Sequence, residues 1–285
     1  MDGILLVNKP KGMTSRDVVN VISKHLKTKK VGHTGTLDPI AEGVLVICIN
    51  KGTKLVELLT SHDKTYVATC LLGVKTDTLD IEGKIINDEN TNFNYNQIND
   101  VLLNFPKSYN QEVPIYSAIK VNGKKLYEYA RNNEKIELPK RKVEIIKLKL
   151  IKSNQIDNHT SFTFETTVSK GTYIRSLIND IAIKLNTNGI MTDLLRIKQG
   201  NFTIENCYTL EDIKNDNFKI ITIEEALKEY KKIEVDDYLY KKISNGSILK
   251  DNYNLEKIVF TKNNKVIAIY KQYKDNLIKP YQMFL

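Results

Sequence analysis

Val31-Gly32-His33-Thr34-Gly35-Thr36-Leu37-Asp38-Pro39-Ile40-Ala41-Glu42-Gly43 is the stretch on which the reading of this chain turns. Its three glycines permit positive φ angles and close backbone approach, so it reads as a shaped loop. Pro39 fixes its own φ and pushes Asp38 toward an extended conformation, leaving one carboxylate at a stiff bend. The apolar run Val44-Leu45-Val46-Ile47-Cys48-Ile49 that follows predicts a buried strand, which tethers the loop to the core. In isolation Asp-Pro is ordinary turn chemistry, with the aspartate capping its own backbone. The rest of the chain decides between a turn and a site.

Composition narrows the choice. A chain of 285 residues can bury a large core, and its net charge of +9 favours a polyanionic partner, nucleic acid above all. Of 43 Lys+Arg only Arg16, Arg131, Arg141, Arg175 and Arg196 are arginine, so each arginine marks a place that needs a planar fork. Cys48, Cys70 and Cys207 are scattered without a C-x-x-C, which suits a reducing compartment. His25, His33, His62 and His159 never fall at metal-ligand spacing, and no metal is expected. No signal peptide or membrane span is read, so a soluble cytoplasmic protein is expected.

Outward from the loop, Ile4 to Val7 predicts a strand that runs into Lys9-Pro10-Lys11-Gly12-Met13-Thr14-Ser15. Thr14 or Ser15 then caps a helix from about Arg16 to Leu26, with Val18, Val19, Ile22 and Leu26 as its stripe. Gly52 to Leu59 reads as a short helix and Lys64 to Gly73 as a strand carrying Tyr66. Gly73-Val74-Lys75-Thr76-Asp77-Thr78-Leu79-Asp80 is either an Asx-turn or a nucleotide-side loop. A polar surface loop over 88–99 leads to a helix near Tyr95 to Asn104. Val113-Pro114-Ile115-Tyr116-Ser117-Ala118-Ile119-Lys120 and Gly123 to Arg131 follow, lysines interleaved with tyrosines as RNA contact favours. Strands are predicted over Lys142 to Lys152, its alternation slipping at Ile145-Ile146, and over Ser161 to Ser169.

Ser169-Lys170-Gly171-Thr172-Tyr173-Ile174-Arg175-Ser176-Leu177 opens a helix whose stripe is Ile174, Leu177, Ile178, Ile181 and Leu185. Arg175 lies in its first turn, where the macrodipole disfavours a cation by roughly 0.3–1 kcal/mol, so an anionic partner is expected beside it. Thr209 to Asp212 and Thr222 to Tyr230 read as short helices. The runs 258–260 and 266–270 read as a hairpin, and Asn245-Gly246 as a turn.

Five of these strings, in order, resemble the TruB-type pseudouridine synthases, which modify uridine-55 in the T-loop of tRNA. G-H-T-G-x-L-D-P with A-x-G-x-L resembles their catalytic loop, and K-P-x-G-x-T-S their first motif. K-x-Y, G-x-x-T-D-T-x-D and K-G-x-Y-I-R-S-L resemble later ones. Leu194 to Phe202 resembles L-R-R-x-x-x-G-x-F with Leu195 in place of the first arginine. The resemblance implies an α+β fold: a mixed, largely antiparallel central sheet with flanking helices, plus a small C-terminal β-rich PUA-like module. It implies a catalytic domain over 1–231, with an RNA-contacting insertion at about 84–140, and an RNA-binding module over 232–285. It assigns Asp38 as nucleophile, Arg175 as its ion-pair partner, and Tyr173 to the uracil pocket and the C5 proton. Tyr66 would stack on the uracil and His33 would stand near the space left by the flipped base. Asp77, Leu194, Lys9 and Lys64 complete the implied substrate-binding set.

The implied reaction needs no cofactor, because uracil is detached and rejoined without oxidation. The implied partner is the tRNA T-stem-loop, bound by a monomer without guide RNA, since the chain lacks the long basic extensions of guide-dependent relatives. A non-catalytic RNA-binding or RNA-folding protein is the competing reading. The joint presence of Asp38, Tyr66, Tyr173 and Arg175 separates the two, because a pure binder does not require all four.

Overall fold

The computed structural model describes residues 1–285. Its main body is a nine-stranded sheet, and seven strands run side by side in the order Gly3–Lys9, Glu42–Ile49, Gly189–Gln199, Lys64–Leu72, His159–Val168, Lys140–Ile156, Ser108–Glu112. Neighbours pair antiparallel except Glu42–Ile49 with Gly189–Gln199, which meet in parallel at Leu195–Glu42 and Arg196–Gly43. The architecture is the expected α+β one, with a mixed, largely antiparallel sheet. On one face the helices Tyr95–Leu103 and Ile174–Lys184 bury Ile98, Leu102, Ile174, Leu177, Ile178 and Ile181 against Phe162, Phe164 and Ala68 of the sheet. Helix Ser15–His25 buries Val18, Val19 and Ile22 against Leu5, Val7, Leu45 and Ile47. Full burial of one such side chain contributes about 1.5–3 kcal/mol.

Local chemistry explains the element boundaries. Thr14 caps the first helix by a capping box with Asp17, each side chain taking the other's backbone N–H. Ser15 becomes the first helical residue and its hydroxyl is free for another task. The slip at Ile145-Ile146 is a β-bulge, the register jumping between Ile145 and Lys147. That strand reaches Lys140–Ile156, beyond the expected 142–152, because its polar ends are held by ladder hydrogen bonds to two neighbours. Within the expected 84–140 insertion, Ile98, Leu102 and Phe105 join the main core and Ser108–Glu112 extends the main sheet. Ile85–Asp88 pairs with Val74–Thr76 in a small sheet off the main one, and the segment after Glu112 adds a hairpin at Lys120–Val121 and Lys124–Lys125 and a helix Leu126–Arg131.

Residues 232–283 form a separate five-stranded sheet in which Lys257–Lys262 and Lys265–Lys274 are the expected hairpin. Asn245-Gly246 makes the expected turn, at the end of a helix. It ends the helix Asp237–Ser244, with Gly246 at φ +67° and its N–H bonded to Ile243 O, the ordinary glycine termination of a helix. The small sheet is fused to the main body: Val259, Val266, Ile269 and Phe284 share one buried cluster with Ile4, Leu6, Val44 and Val46. No helix is long and apolar enough to cross a membrane.

Candidate active site

The Asp38 loop spans the gap between strand Val31–His33 and strand Glu42–Ile49, which pair antiparallel as His33–Ile47, Gly32–Cys48 and Val31–Ile49. Its main chain is gripped from beneath by buried polar side chains. Ser15 Oγ donates to Leu37 O at 3.1 Å and accepts from Leu37 N at 2.8 Å. Gln199 Nε2 donates to Thr34 O and Thr34 Oγ1, at 3.1 and 2.6 Å. Arg196, 1% exposed, donates from Nε to Val44 O at 2.6 Å and from Nη2 to Gly35 O at 3.0 Å. No carboxylate forms a salt bridge with Arg196, so its guanidinium serves backbone carbonyls alone. Gly43 allows the close approach this needs: its φ is +103°, and a Cβ there would lie 2.3 Å from Arg196 O. Asp38 is thus carried on a loop whose carbonyls are fixed on three sides.

Its carboxylate meets Arg175 Nε at 3.0 Å, the anionic partner expected for that first-turn arginine. The pairing is not bidentate. Arg175 divides its fork, with Nη1 reaching Asp80 Oδ2 at 3.4 Å and Thr78 O at 3.0 Å, and Nη2 reaching Tyr116 O at 3.0 Å. The Arg175 side chain is 7% exposed and that of Asp38 36%, so the guanidinium is packed away while one carboxylate looks outward. Arg175 thus bridges two carboxyl groups, Asp38 on the outward side and Asp80 within. Asp80 is a member of the site that sequence reasoning missed. The signal was the second aspartate of Thr76-Asp77-Thr78-Leu79-Asp80, and only the fold shows it turning inward.

Tyr66 and Leu194, at 6% and 5% exposure, lie in the buried cluster that also holds Leu37 and Ala41, and so form the apolar floor beneath the loop. Tyr173 is the residue preceding helix Ile174–Lys184. Gln111 fixes its main chain from both sides, Oε1 accepting from Tyr173 N at 2.8 Å and Nε2 donating to Tyr173 O at 3.1 Å. Burial pushes the Tyr173 phenol above its ordinary range, a rise opposed by the positive charges of Arg141 and Arg175. The phenol therefore carries its proton at neutral pH. His33 is half-buried, and burial with the charges of Arg16 and Arg196 lowers its pKa, so the imidazole is neutral there too.

Three members of the sequence-derived set stand differently. Lys9 is wholly buried and its ammonium donates to Pro10 O, Met13 O and Pro39 O, which ties the first motif to the Asp38 loop. Lys64, 8% exposed, donates to Thr60 O and His62 O at the end of a short helix. Burial lowers both lysines to about 8. Asp77 accepts from Lys84 N at 2.8 Å and from Tyr116 Oη at 3.2 Å, which ties its turn to the segment whose Tyr116 carbonyl holds Arg175. No three His, Cys, Asp or Glu side chains converge as a metal site.

The family model for the TruB family pseudouridylate synthase (N terminal domain) matches residues 23–174. The tRNA pseudouridine synthase B of Clostridium kluyveri is 42% identical over 294 residues, covering the whole of both chains. That of Caldanaerobacter subterraneus is 44% identical over 257 residues, covering 90% of this chain and 89% of its own. Among solved structures, a chain of a Cbf5-Nop10-Gar1 complex matches with a TM-score of 0.74 at 23% identity, covering 99% of this chain and 85% of that one. A chain of an H/ACA RNP bound to a substrate RNA containing 2'-deoxyuridine gives 0.72 at 22%, with the same coverage. Those two likenesses are of fold. The sequence match and the fold agree: this chain belongs to the TruB family of pseudouridylate synthases.

Proposed function

We propose that this protein isomerises uridine-55 in the T-loop of tRNA to pseudouridine, with Asp38 as nucleophile. The observation that carries the reading is the half-exposed Asp38 carboxylate on its rigid loop, held by an arginine shared with Asp80. The full-length relatives named tRNA pseudouridine synthase B supply the substrate. In the net change the N1–C1′ bond breaks, a C5–C1′ bond forms, and one proton leaves C5 while N1 gains one. Nothing is oxidised, so the chain's own side chains suffice. Asp38 attacks the nucleoside at C1′ or C6 and later leaves, its charge held in place by Arg175. The target base lies inside a folded loop and has to be extruded first, at a cost of a few kcal/mol, with stacking on Tyr66 offsetting part of it. Tyr173 enters with its phenol protonated, and so relays the C5 proton by accepting one as it hands its own on.

The test is Asp38→Asn, which preserves size and turn-forming ability. The expected result is a folded protein that binds a T-stem-loop RNA as the parent does and yields no pseudouridine under single-turnover conditions, a loss of at least 10⁴-fold. Melting and RNA affinity are measured on the same preparation. Substantial conversion by a folded Asp38→Asn protein overturns the reading.

A further inference from the structure

We infer that Arg16, Arg131 and Arg141 are three planar forks that grip RNA phosphates around the target nucleotide, while the lysine-rich remainder of the surface attracts RNA without register. The inference rests on the RNA substrate proposed above and specifies how that substrate is held.

The distribution of arginine is the first observation. Five arginines stand among 43 Lys+Arg, and residues 197–285 contain none although lysines continue throughout. Two of the five, Arg175 and Arg196, are buried inside the site. The other three are exposed, and none takes part in an ion pair or a side-chain hydrogen bond, in a chain carrying 34 Asp+Glu.

Their placement is the second observation, because each is one link from the site. Arg16 directly follows Ser15, whose hydroxyl holds both polar groups of Leu37, and it is close enough to bear on His33. Arg141 lies opposite Gln111 in the ladder, and Gln111 is the side chain that fixes Tyr173. A Cβ built on Gly171, two residues before Tyr173, would lie 3.8 Å from Arg141 Nη1. Arg131 rests over the Tyr127 ring at 5.3 Å, and Tyr127 N is bonded to Ser117 O, next to the Tyr116 carbonyl that holds Arg175. Three separate elements thus each place an unpaired guanidinium one contact away from a residue that builds the site.

The chemistry distinguishes them from lysine. A guanidinium presents donors in a fixed plane that matches two oxygens of one phosphate, whereas an ammonium is a mobile point charge. An extruded nucleotide needs its flanking phosphates fixed in direction as well as neutralised, since a small misplacement of the reacting carbon lowers the rate steeply. Stacking on Tyr127 orients the Arg131 fork in advance.

The experiment measures affinity for a T-stem-loop RNA as a function of salt, alongside the single-turnover rate. Its proteins are the parent chain, Arg16→Gln, Arg131→Gln and Arg141→Gln, the three corresponding Arg→Lys variants, and Lys152→Gln. Lys152 is exposed at the other end of the strand that carries Arg141, roughly 36 Å away at about 3.3 Å per residue. Each Arg→Gln should weaken binding about tenfold at physiological salt and lower the slope of log affinity against log salt by about one. Each Arg→Lys should recover the slope while leaving at least a threefold deficit in affinity or rate, and Lys152→Gln should change neither by more than twofold. Unchanged slopes in the Gln variants, full recovery in the Lys variants, or an equal loss in Lys152→Gln would each overturn the inference. Binding and conversion are read separately, so a parent chain that binds but does not convert defeats the reading of Asp38, and the slopes still decide the arginines.

Discussion

At the scale of single residues, the site turns on how Arg175 divides its fork. Four acceptors surround it: Asp38, Asp80, Thr78 O and Tyr116 O. A lysine carries three donors on one nitrogen and cannot reach acceptors spread around a plane, so Arg175→Lys should leave at least one buried oxygen unpaired. The expected outcome is a fall of at least a hundredfold in single-turnover rate with RNA affinity within threefold of the parent. A variant that turns over at near-parental rate would remove Arg175 from the machinery. The pairing of Asp38 with Arg175 was foreseen, because the family resemblance put both in one site and the macrodipole called for an anion beside Arg175. Asp80 was not, because nothing local distinguishes an aspartate that closes a turn from one that turns inward. The loads carried by Ser15, Gln199 and Arg196 were equally silent: their partners lie 22 to 165 residues away in sequence.

At the scale of elements, the helices Ser15–His25, Tyr95–Leu103 and Ile174–Lys184 were read nearly to their ends, since capping residues and a 3.6-residue stripe are local signals, whereas Asp237–Ser244 was missed inside a segment read as β-rich. The strand Gly189–Gln199 was not recognised as one, although it lies at the centre of the main sheet. Two register jumps, between Met191 and Asp193 and between Arg196 and Lys198, break the alternation that would have revealed it. Lysines 9 and 64 bind element ends together and give the fold a pH signature. Each is held near 8 when folded and titrates near 10.4 when unfolded, so between those values the unfolded chain carries the extra proton. Stability attributable to them therefore rises with pH from about 8 to 10 and is flat below. Comparing denaturant midpoints of the parent and Lys64→Met across that window should show the parent gaining on the variant as pH increases. Parallel curves would contradict the lowered pKa of Lys64.

At the scale of the whole molecule, the α+β class and the β-rich C-terminal part followed from the sequence, but the way the two parts join did not. Apolar residues in the small sheet look, in sequence, like the core of an independent module. In the structure Val259, Val266, Ile269 and Phe284 are core for the main body as well. Phe284→Ala should lower stability by about 3–5 kcal/mol and shift a single unfolding transition to lower temperature. Two transitions, only the smaller of them shifted, would show that the sheets unfold independently.

The shared core has a consequence for synthesis. Synthesis reaches strand Gly3–Lys9 well before residues 220 to 284, yet Ile4 and Leu6 are covered in part by that later segment. At about 5–20 residues per second, that strand waits on the order of 10 to 60 seconds for its cover. Until then the nascent chain presents a bare apolar face, which is the state that chaperones would meet. The Asp38 loop does not wait for that cover, because Ser15, Arg196 and Gln199, which grip it, all precede the covering segment.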